Sequence, residues 1–527
     1  MRLTAAAKRQ VPFRSNIQAA SLPAPTGGWD AISALANMPP DRAVQLDNFV
    51  PRPGYIEPRR GYIDWADGMG ATTPVQTITA YYAGNPSDDK MFSIAGSTIY
   101  DTTLTGAATP TTVTALSSAY CEYANFTNAS NLHYQFVCNG VDTPKLYNGS
   151  TWADTAITGV TQSDLVQPCV YNGRLWFTRI NSLVPVYLDI GAIAGAAHEF
   201  PIGDFAGMGG YLQRIATWSV DTRQTVNDYL AFITSRGQVI VYVGTDPADA
   251  DAWQLVGVYN VGRPIGRRCS LKVAGDLAIL TIDGITSMNE ALVSTRGSGK
   301  GKSITERIIG AINQATQAYG DNVGWQLVDY APDSLVLLNI PISTNSESQQ
   351  YVMNELTGAW CRFLNINAMV WEIFNDDIFF GGPDGTVYQW EIGSSDNGDD
   401  INCTAKSAFN YFGSRGYIKR FTMLQPVLTS DGTVVPGTGI NVDFGQNGTI
   451  SIPQVATGTG PLWDSAIWDS AIWPFENTNQ ADWITVSGLG HCASVITQVT
   501  TNDSGSDAGV TLQLNAWNVQ FEKGGPL

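Results

Sequence analysis

Across residues 75–395, short apolar runs recur. Each is closed by a turn containing Gly or Asn and followed by a second run that often carries Tyr or Trp. Paired runs bounded by such turns are the signature of β-hairpins. Hairpins are predicted at 91–101 (MFSIAGSTIYD), 134–149, 173–190, 229–244, 276–289, 334–360 and 378–390. Seven hairpins at irregular spacing are too many for one sandwich. A radial array of small sheets accommodates them, because each sheet buries both faces against its neighbours. The pattern predicts a mainly β chain with a β-propeller of about six to eight blades over residues 71–398. Paired β-sandwiches are the alternative.

The flanks read differently. In residues 1–70, Pro23, Pro25, Pro39, Pro40, Pro51, Pro53 and Pro58 exclude a continuous helix or a central strand. That stretch is expected to be an extended N-terminal arm that docks on something else. One amphipathic helix is predicted near 303–320. Ser303 and Glu306 form a capping box, Ile304, Ile308, Ile312, Ala315 and Tyr319 follow at helical spacing, and Gly320 closes the run. Residues 399–527 alternate strands with Gly/Asn/Asp turns and read as a separate C-terminal β-sandwich-like tip or platform domain. Within it lies the duplication WDSAIWDSAIW, which clusters Trp463, Trp468 and Trp473. Such a cluster either anchors an interface at the tip or folds onto its own domain.

Composition narrows the class. Of the 527 residues 44% are hydrophobic but only 14% are charged, which suits large packed β cores and a surface covered by copies of the same chain. The net charge of −18 argues against a general nucleic-acid-binding face. The charge is uneven, with eight basic groups against four acids in residues 1–60, and eight acids with no Lys or Arg in 363–405. Either these are solvated loops, or the basic end docks a partner through Arg52, Arg59 and Arg60 while acidic walls line a polar tube. Seven scattered cysteines, none in CxxC spacing, suggest neither a disulfide framework nor a zinc site. Without an apolar leader or a membrane-length run, the chain is expected to be made in the cytosol as a soluble protein.

The motifs that suggest chemistry fail on spacing. Arg296-Gly-Ser-Gly-Lys-Gly-Lys-Ser303 has Arg296 where a phosphate-binding loop needs its first Gly. Lys300 and Lys302 are then contacts of a basic loop with DNA or a neighbouring subunit, or simply solvated. Ser394-Ser395-Asp396-Asn397-Gly398 has the core of an Asp-box but not its closing aromatic, and Asp396, Asp399 and Asp400 lack EF-hand spacing. His133, His198 and His491 fall in no metal or catalytic pattern. No catalytic residue, metal site or cofactor is predicted.

Several segments, in order and spacing, resemble the tail hub, nozzle or packaged-DNA stabilisation proteins of short-tailed, podovirus-type bacteriophages. They are Gly27-Gly28-Trp29-Asp30-Ala31, the run from Pro40 to Gly54, Arg59-Arg60-Gly61-Tyr62, Gly209-Gly210-Tyr211-Leu212, Gly266-Arg267-Arg268-Cys269, and Thr357 through Phe363. The resemblance covers most of residues 25–425 and carries no active site. It implies a structural virion protein forming a homo-oligomeric ring, commonly six subunits, below a portal–adaptor complex. The ring would carry tail fibres, spikes or a needle, retain packaged DNA, and conduct double-stranded DNA through its lumen without reading its sequence. A glycan- or receptor-binding propeller, with the three tryptophans stacking on sugars, is the alternative. A glycan-cleaving propeller is a third class.

Overall fold

The computed structural model describes residues 17–221, 226–273, 275–293, 303–445, 450, 453–458, 478–503 and 510–526. The chain is mainly β and its central part is a propeller. Five sheets stand as separate blades, beginning with the strands Val75–Tyr81, Glu122–Thr127, Leu165–Tyr171, Leu212–Asp221 and Ser270–Val273. Two further antiparallel meanders begin at Gln326–Tyr330 and Val370–Phe374 and merge into a sixteen-stranded sheet. They act as blades 6 and 7, because the first strands of consecutive blades pack side by side and that of blade 7 packs on that of blade 1.

The core is divided in the same way. One hydrophobic cluster fills each junction between neighbouring blades. Phe92 and Ile94 of blade 1 meet Val137 and Tyr147 of blade 2. Trp176 of blade 3 meets Phe232 of blade 4. Val370 and Phe379 of blade 7 meet Val75 and Met91 of blade 1. Each predicted hairpin is the second and third strand of one blade: Lys90–Ala95 with Thr98–Asp101 in blade 1, and Asp377–Gly381 with Val387–Trp390 in blade 7. Middle strands are buried on both faces, hence their unbroken apolar runs. Leu335–Ser343 is buried over its first seven residues, whereas the outer strand Trp253–Asn260 is mostly exposed or half-buried.

The ring is closed by the N-terminal part of the chain. Tyr62–Asp67 pairs with Val387–Trp390 as the fourth strand of blade 7. The rest of the expected arm is also committed within the chain. Ile17–Pro23 pairs with the last strand, Leu512–Pro526, and Ala43–Asp47 pairs with Asp399–Ser407. The last strand pairs in turn with Tyr417–Ser430, and Asp399–Ser407 with Ala493–Thr501. These two sheets enclose the largest cluster, in which Phe421, Trp517 and Val519 face Ile401, Val495 and Val499. The Trp517 indole N–H donates to Thr497 Oγ1 at 2.8 Å across the gap.

The helix starts later than its capping box predicts. Glu306–Ile308 is a 3-10 turn, and the α-helix runs Ile309–Tyr319. The Ser303 hydroxyl is held instead by the Ile285 carbonyl at 3.0 Å and Thr305 Oγ1 at 2.7 Å, which ties the approach to blade 5. A second, unexpected helix, Met288–Val293, follows the last strand of blade 5, and the Ser287 hydroxyl accepts the Glu290 amide at 3.1 Å.

Closure leaves no room at Gly61, just before the sealing strand. A β-carbon there would lie far inside van der Waals contact of the Ser395 carbonyl. Gly61→Ala should therefore cost about 1–3 kcal/mol or more and lower the thermal midpoint. Gly203→Ala, with nothing within 4 Å of the new methyl, should leave it nearly unchanged.

Candidate functional site

In an antiparallel blade, the start of the first strand and the turn between the second and third strands lie at one end, here called the entry end. The other two turns lie at the opposite end. At the entry end the axis is crossed by side chains. Arg268, just before the first strand of blade 5 and only 9% exposed, reaches across the ring. It donates to the Gln76 carbonyl and Thr77 Oγ1 of blade 1 and to the Cys121 carbonyl beside blade 2. Its Nε meets Glu122 at 3.2 Å, while Arg214 of blade 4 takes the other Glu122 oxygen at 3.1 Å. Tyr120 lies under the Arg268 guanidinium at 4.8 Å. One buried carboxylate thus holds two guanidiniums, and the other donors of Arg268 are spent on carbonyls and a hydroxyl, as buried charge requires.

Farther along, Glu372 on the first strand of blade 7 faces Tyr123 of blade 2. Burial pushes its carboxyl up to about 7, against the pull of the Ile373 amide, the Tyr123 hydroxyl and Arg268.

Also at the entry end, a cleft of about 670 Å³ spans blades 2 to 6. Arg179, Arg236, Arg263 and Arg267 line it, with Asp321 as the single lining carboxylate. Arg179 is paired with Glu199 at 2.8 Å, and Arg267 donates to the Asn139 carbonyl at 3.0 Å. Arg236 and Arg263 are exposed. Exposed Ile180, Tyr211, Ile282 and Val323 are interleaved with them. A surface mixing Arg, Tyr and aliphatic side chains has the composition of a protein-binding patch. Only Gly210–Leu212 and Gly266–Arg267 fall in stretches that the sequence singled out for a resemblance, because the rest of the lining comes from turns scattered along the chain.

The three arginines predicted to dock a partner converge on one small cavity of about 160 Å³, but two of them find their acids on the same chain. Arg52 pairs with Glu57 at 2.6 Å and, through Nη2 alone, with both Asp333 carboxylate oxygens at 2.7 and 2.6 Å. Arg59 is 2% exposed and grips Asp396 at 2.7 and 2.6 Å, with the Arg60 and Leu364 carbonyls and Asn48 Oδ1 completing its shell. Their acids were expected on a neighbour; instead they join the N-terminal strands to blades 6 and 7. Arg60 alone of the three is exposed. The Asp-box remnant is absorbed likewise: Asp396 is the partner of Arg59, and the Ser395 hydroxyl donates to Asp503 at 2.7 Å. Lys300, Lys302, Trp463, Trp468 and Trp473 lie outside the described residues. His198 and His491 pair with Asp189 and Asp443, and His133 meets Thr127 Oγ1 at 3.0 Å. Among the described residues, no group of three or more His, Cys, Asp or Glu is disposed to hold a metal ion.

Two outcomes follow from these buried charges. Arg59→Ala strands the Asp396 carboxylate and should cost about 3–5 kcal/mol, whereas Arg59→Met with Asp396→Leu should recover much of the loss; thermal midpoints of the three proteins check this. Glu391, in the same cavity, is also pushed up to about 7, by burial first and Asp333 next, against Arg60 and Arg52. Both Glu372 and Glu391 hold a proton more tightly folded than unfolded, where Glu titrates near about 4.3. Their stabilising contribution is complete below that pH and is lost as pH rises through about 7. The thermal midpoint should fall between about pH 5 and pH 8, and Glu372→Gln should flatten the profile.

No family model matches the chain, and no curated protein matches it significantly. Among solved structures it is similar to the computationally designed Ika8 protein, at 12% identity over 62% of this chain and 99% of that one, with a TM-score of 0.37. It is also similar to BBS1N in complex with ARL6DN, at 9% identity over 63% and 97% of the two chains, TM-score 0.41. A third is YCF48 from Cyanidioschyzon merolae, at 11% identity over 62% and 98%, TM-score 0.37. At these identities the likeness is one of fold.

Proposed function

We propose that this chain is a structural subunit of a short bacteriophage tail, a ring-forming hub or nozzle that extends a portal–adaptor channel, retains packaged DNA and conducts it during ejection. The observation that carries this reading is where the family-like segments meet. The amide of Trp29 donates to the Trp360 carbonyl at 2.6 Å, and Arg362 grips Asp47 through two bonds of 2.8 Å while lying over the Trp29 ring. The Asn48 amide donates to the Arg362 carbonyl at 2.8 Å. Segments about three hundred residues apart thus form one packed joint between the N-terminal strands and blade 6. A resemblance carried by mutually packed residues is one of architecture, which suits a scaffold.

The axial network sets the route of DNA in this reading. A duplex has no path through a propeller whose axis is crossed by Arg268, so the conduit lies between copies of the chain. A net charge of −18 leaves such a conduit with little grip on a phosphate backbone that carries one charge per about 1.7 Å. DNA would slide rather than bind, and the chain needs no catalytic residue or cofactor for that task.

The expected result is a closed ring, of six subunits, in native mass spectra of the protein with its portal–adaptor partner and in cryo-EM of the tail. A single copy, or three copies on the outside of the tail, would overturn the reading.

A further inference from the structure

The platform sheet built on Tyr417–Ser430 and Leu512–Pro526 turns Phe421, Leu424, Trp517 and Val519 inward to the largest cluster. Strand alternation sends the residues between them outward. Ile17–Pro23 extends the sheet on one side, and Ile484–Gly490 and Thr478–Gln480 extend it on the other. Register arranges the outward residues in rows. Thr485, Met423, Gln520 and Ala19 form one row, and Gln425, Asn518 and Ser21 form the next. Trp483 continues the second row, because Ile484 after it pairs with the inward Leu424. Its side chain is 43% exposed. Farther along, Thr429 pairs with Asn479.

These rows hold no Lys, Arg, Asp or Glu. Charge appears at the margins, in Asp482 beside Trp483 and in Arg420, which pairs with Glu522 at 3.7 Å. The polar side chains hold one another in place. Asn518 Nδ2 donates to Gln425 Oε1 at 2.8 Å, and Gln425 Nε2 donates to the Ala481 carbonyl at 2.6 Å. Asn515 Nδ2 donates to Thr429 Oγ1 at 2.8 Å, and that hydroxyl donates to Asn479 Oδ1 at 2.9 Å. Each amide spends one N–H in these bonds and keeps a second.

We infer that this face binds a neutral polysaccharide, with one sugar ring on the Trp483 indole and sugar hydroxyls on Gln425, Asn518 and Gln520. Charge selects the occupant. In a chain of net charge −18, rows without a formal charge offer no counter-charge to a nucleic-acid backbone, an acidic glycan or a charged protein surface. A side-chain amide supplies a donor and an acceptor from one group, which suits neighbouring hydroxyls, and an exposed indole covers the apolar C–H face of a pyranose. Amides already fixed by their neighbours lose less entropy on binding. An open sheet face suits a chain of sugars, where a single sugar would need an enclosing pocket. This inference goes beyond the ring-forming reading and does not depend on it.

The full chain is tested on an array of neutral oligosaccharides (glucans, mannans, galactans and rhamnans) with uronic-acid-bearing chains alongside. Retention on at least one neutral class is expected, with little change as salt rises, because no ion pair is formed. Calorimetry with the retained oligosaccharide should show Trp483→Ala, and separately Gln425→Ala/Asn518→Ala, weakening binding by about tenfold or more. Trp483→Phe, which keeps a ring, should retain most of the affinity, and thermal midpoints should match wild type because Trp483 is exposed. Failure to retain any neutral oligosaccharide, preference for the acidic chains, or wild-type affinity in both Trp483→Ala and the amide variant overturns the inference. Each of these results leaves the ring-forming reading where native mass spectra put it, since the array reads this face in a monomer and in a ring alike.

Discussion

A propeller blade has two apolar faces and cannot be left at an edge, so the fold depends on closing the circle. Here the closing piece is Tyr62–Asp67, taken from the N-terminal side of the chain and sealed to Val387–Trp390 more than three hundred residues away. Once that strand is in place, blade 7 packs on blade 1 and Val370, Phe374 and Phe379 lose their exposure to water. The same stretch of chain then supplies Ala43–Asp47 and Ile17–Pro23 to the two C-terminal sheets. The propeller and the platform therefore share one stretch of chain, fixed by Arg59 with Asp396 and by Arg362 with Asp47.

Charge is placed according to the same need. At the joint between platform and propeller, Arg59 is buried with the Asp396 carboxylate in bidentate contact and carbonyls filling other donors, and half-buried Arg362 holds Asp47 through two bonds. Such pairs add little net stability over apolar packing, but they tolerate only one geometry and so set how the parts meet. Around the propeller axis, Glu122 serves Arg214 and Arg268 together, while Arg268 reaches across to blade 1.

The structure also separates residues whose charge is structural from those free to meet a partner. Arg52, Arg59 and Arg60 look equivalent in sequence, yet ion pairs within the chain commit the first two. Arg236 and Arg263, which stand in unremarkable turns, are exposed on a cleft assembled from five blades. Exposure depends on which turns the circle brings to one end, and no local pattern encodes that.

Hydrophobic patterning determined the β class and the seven hairpins, because the two middle strands of a blade are buried on both faces and must be apolar along their length. The first and fourth strands were not legible, since strands such as Glu122–Thr127 and Trp253–Asn260 face the tunnel or solvent and carry mixed residues. Prolines correctly excluded a helix from residues 17–70 but could not say what that stretch pairs with, because strand partners are chosen by long-range register. The Ser303–Glu306 capping box was legible and misleading: the serine hydroxyl found a better partner in blade 5, and the helix began at Ile309. Local sequence thus decided which segments become strands, while ring closure and ion-pair partners came only from tertiary structure. The physical reason is that each of them joins residues that the chain separates by up to several hundred positions.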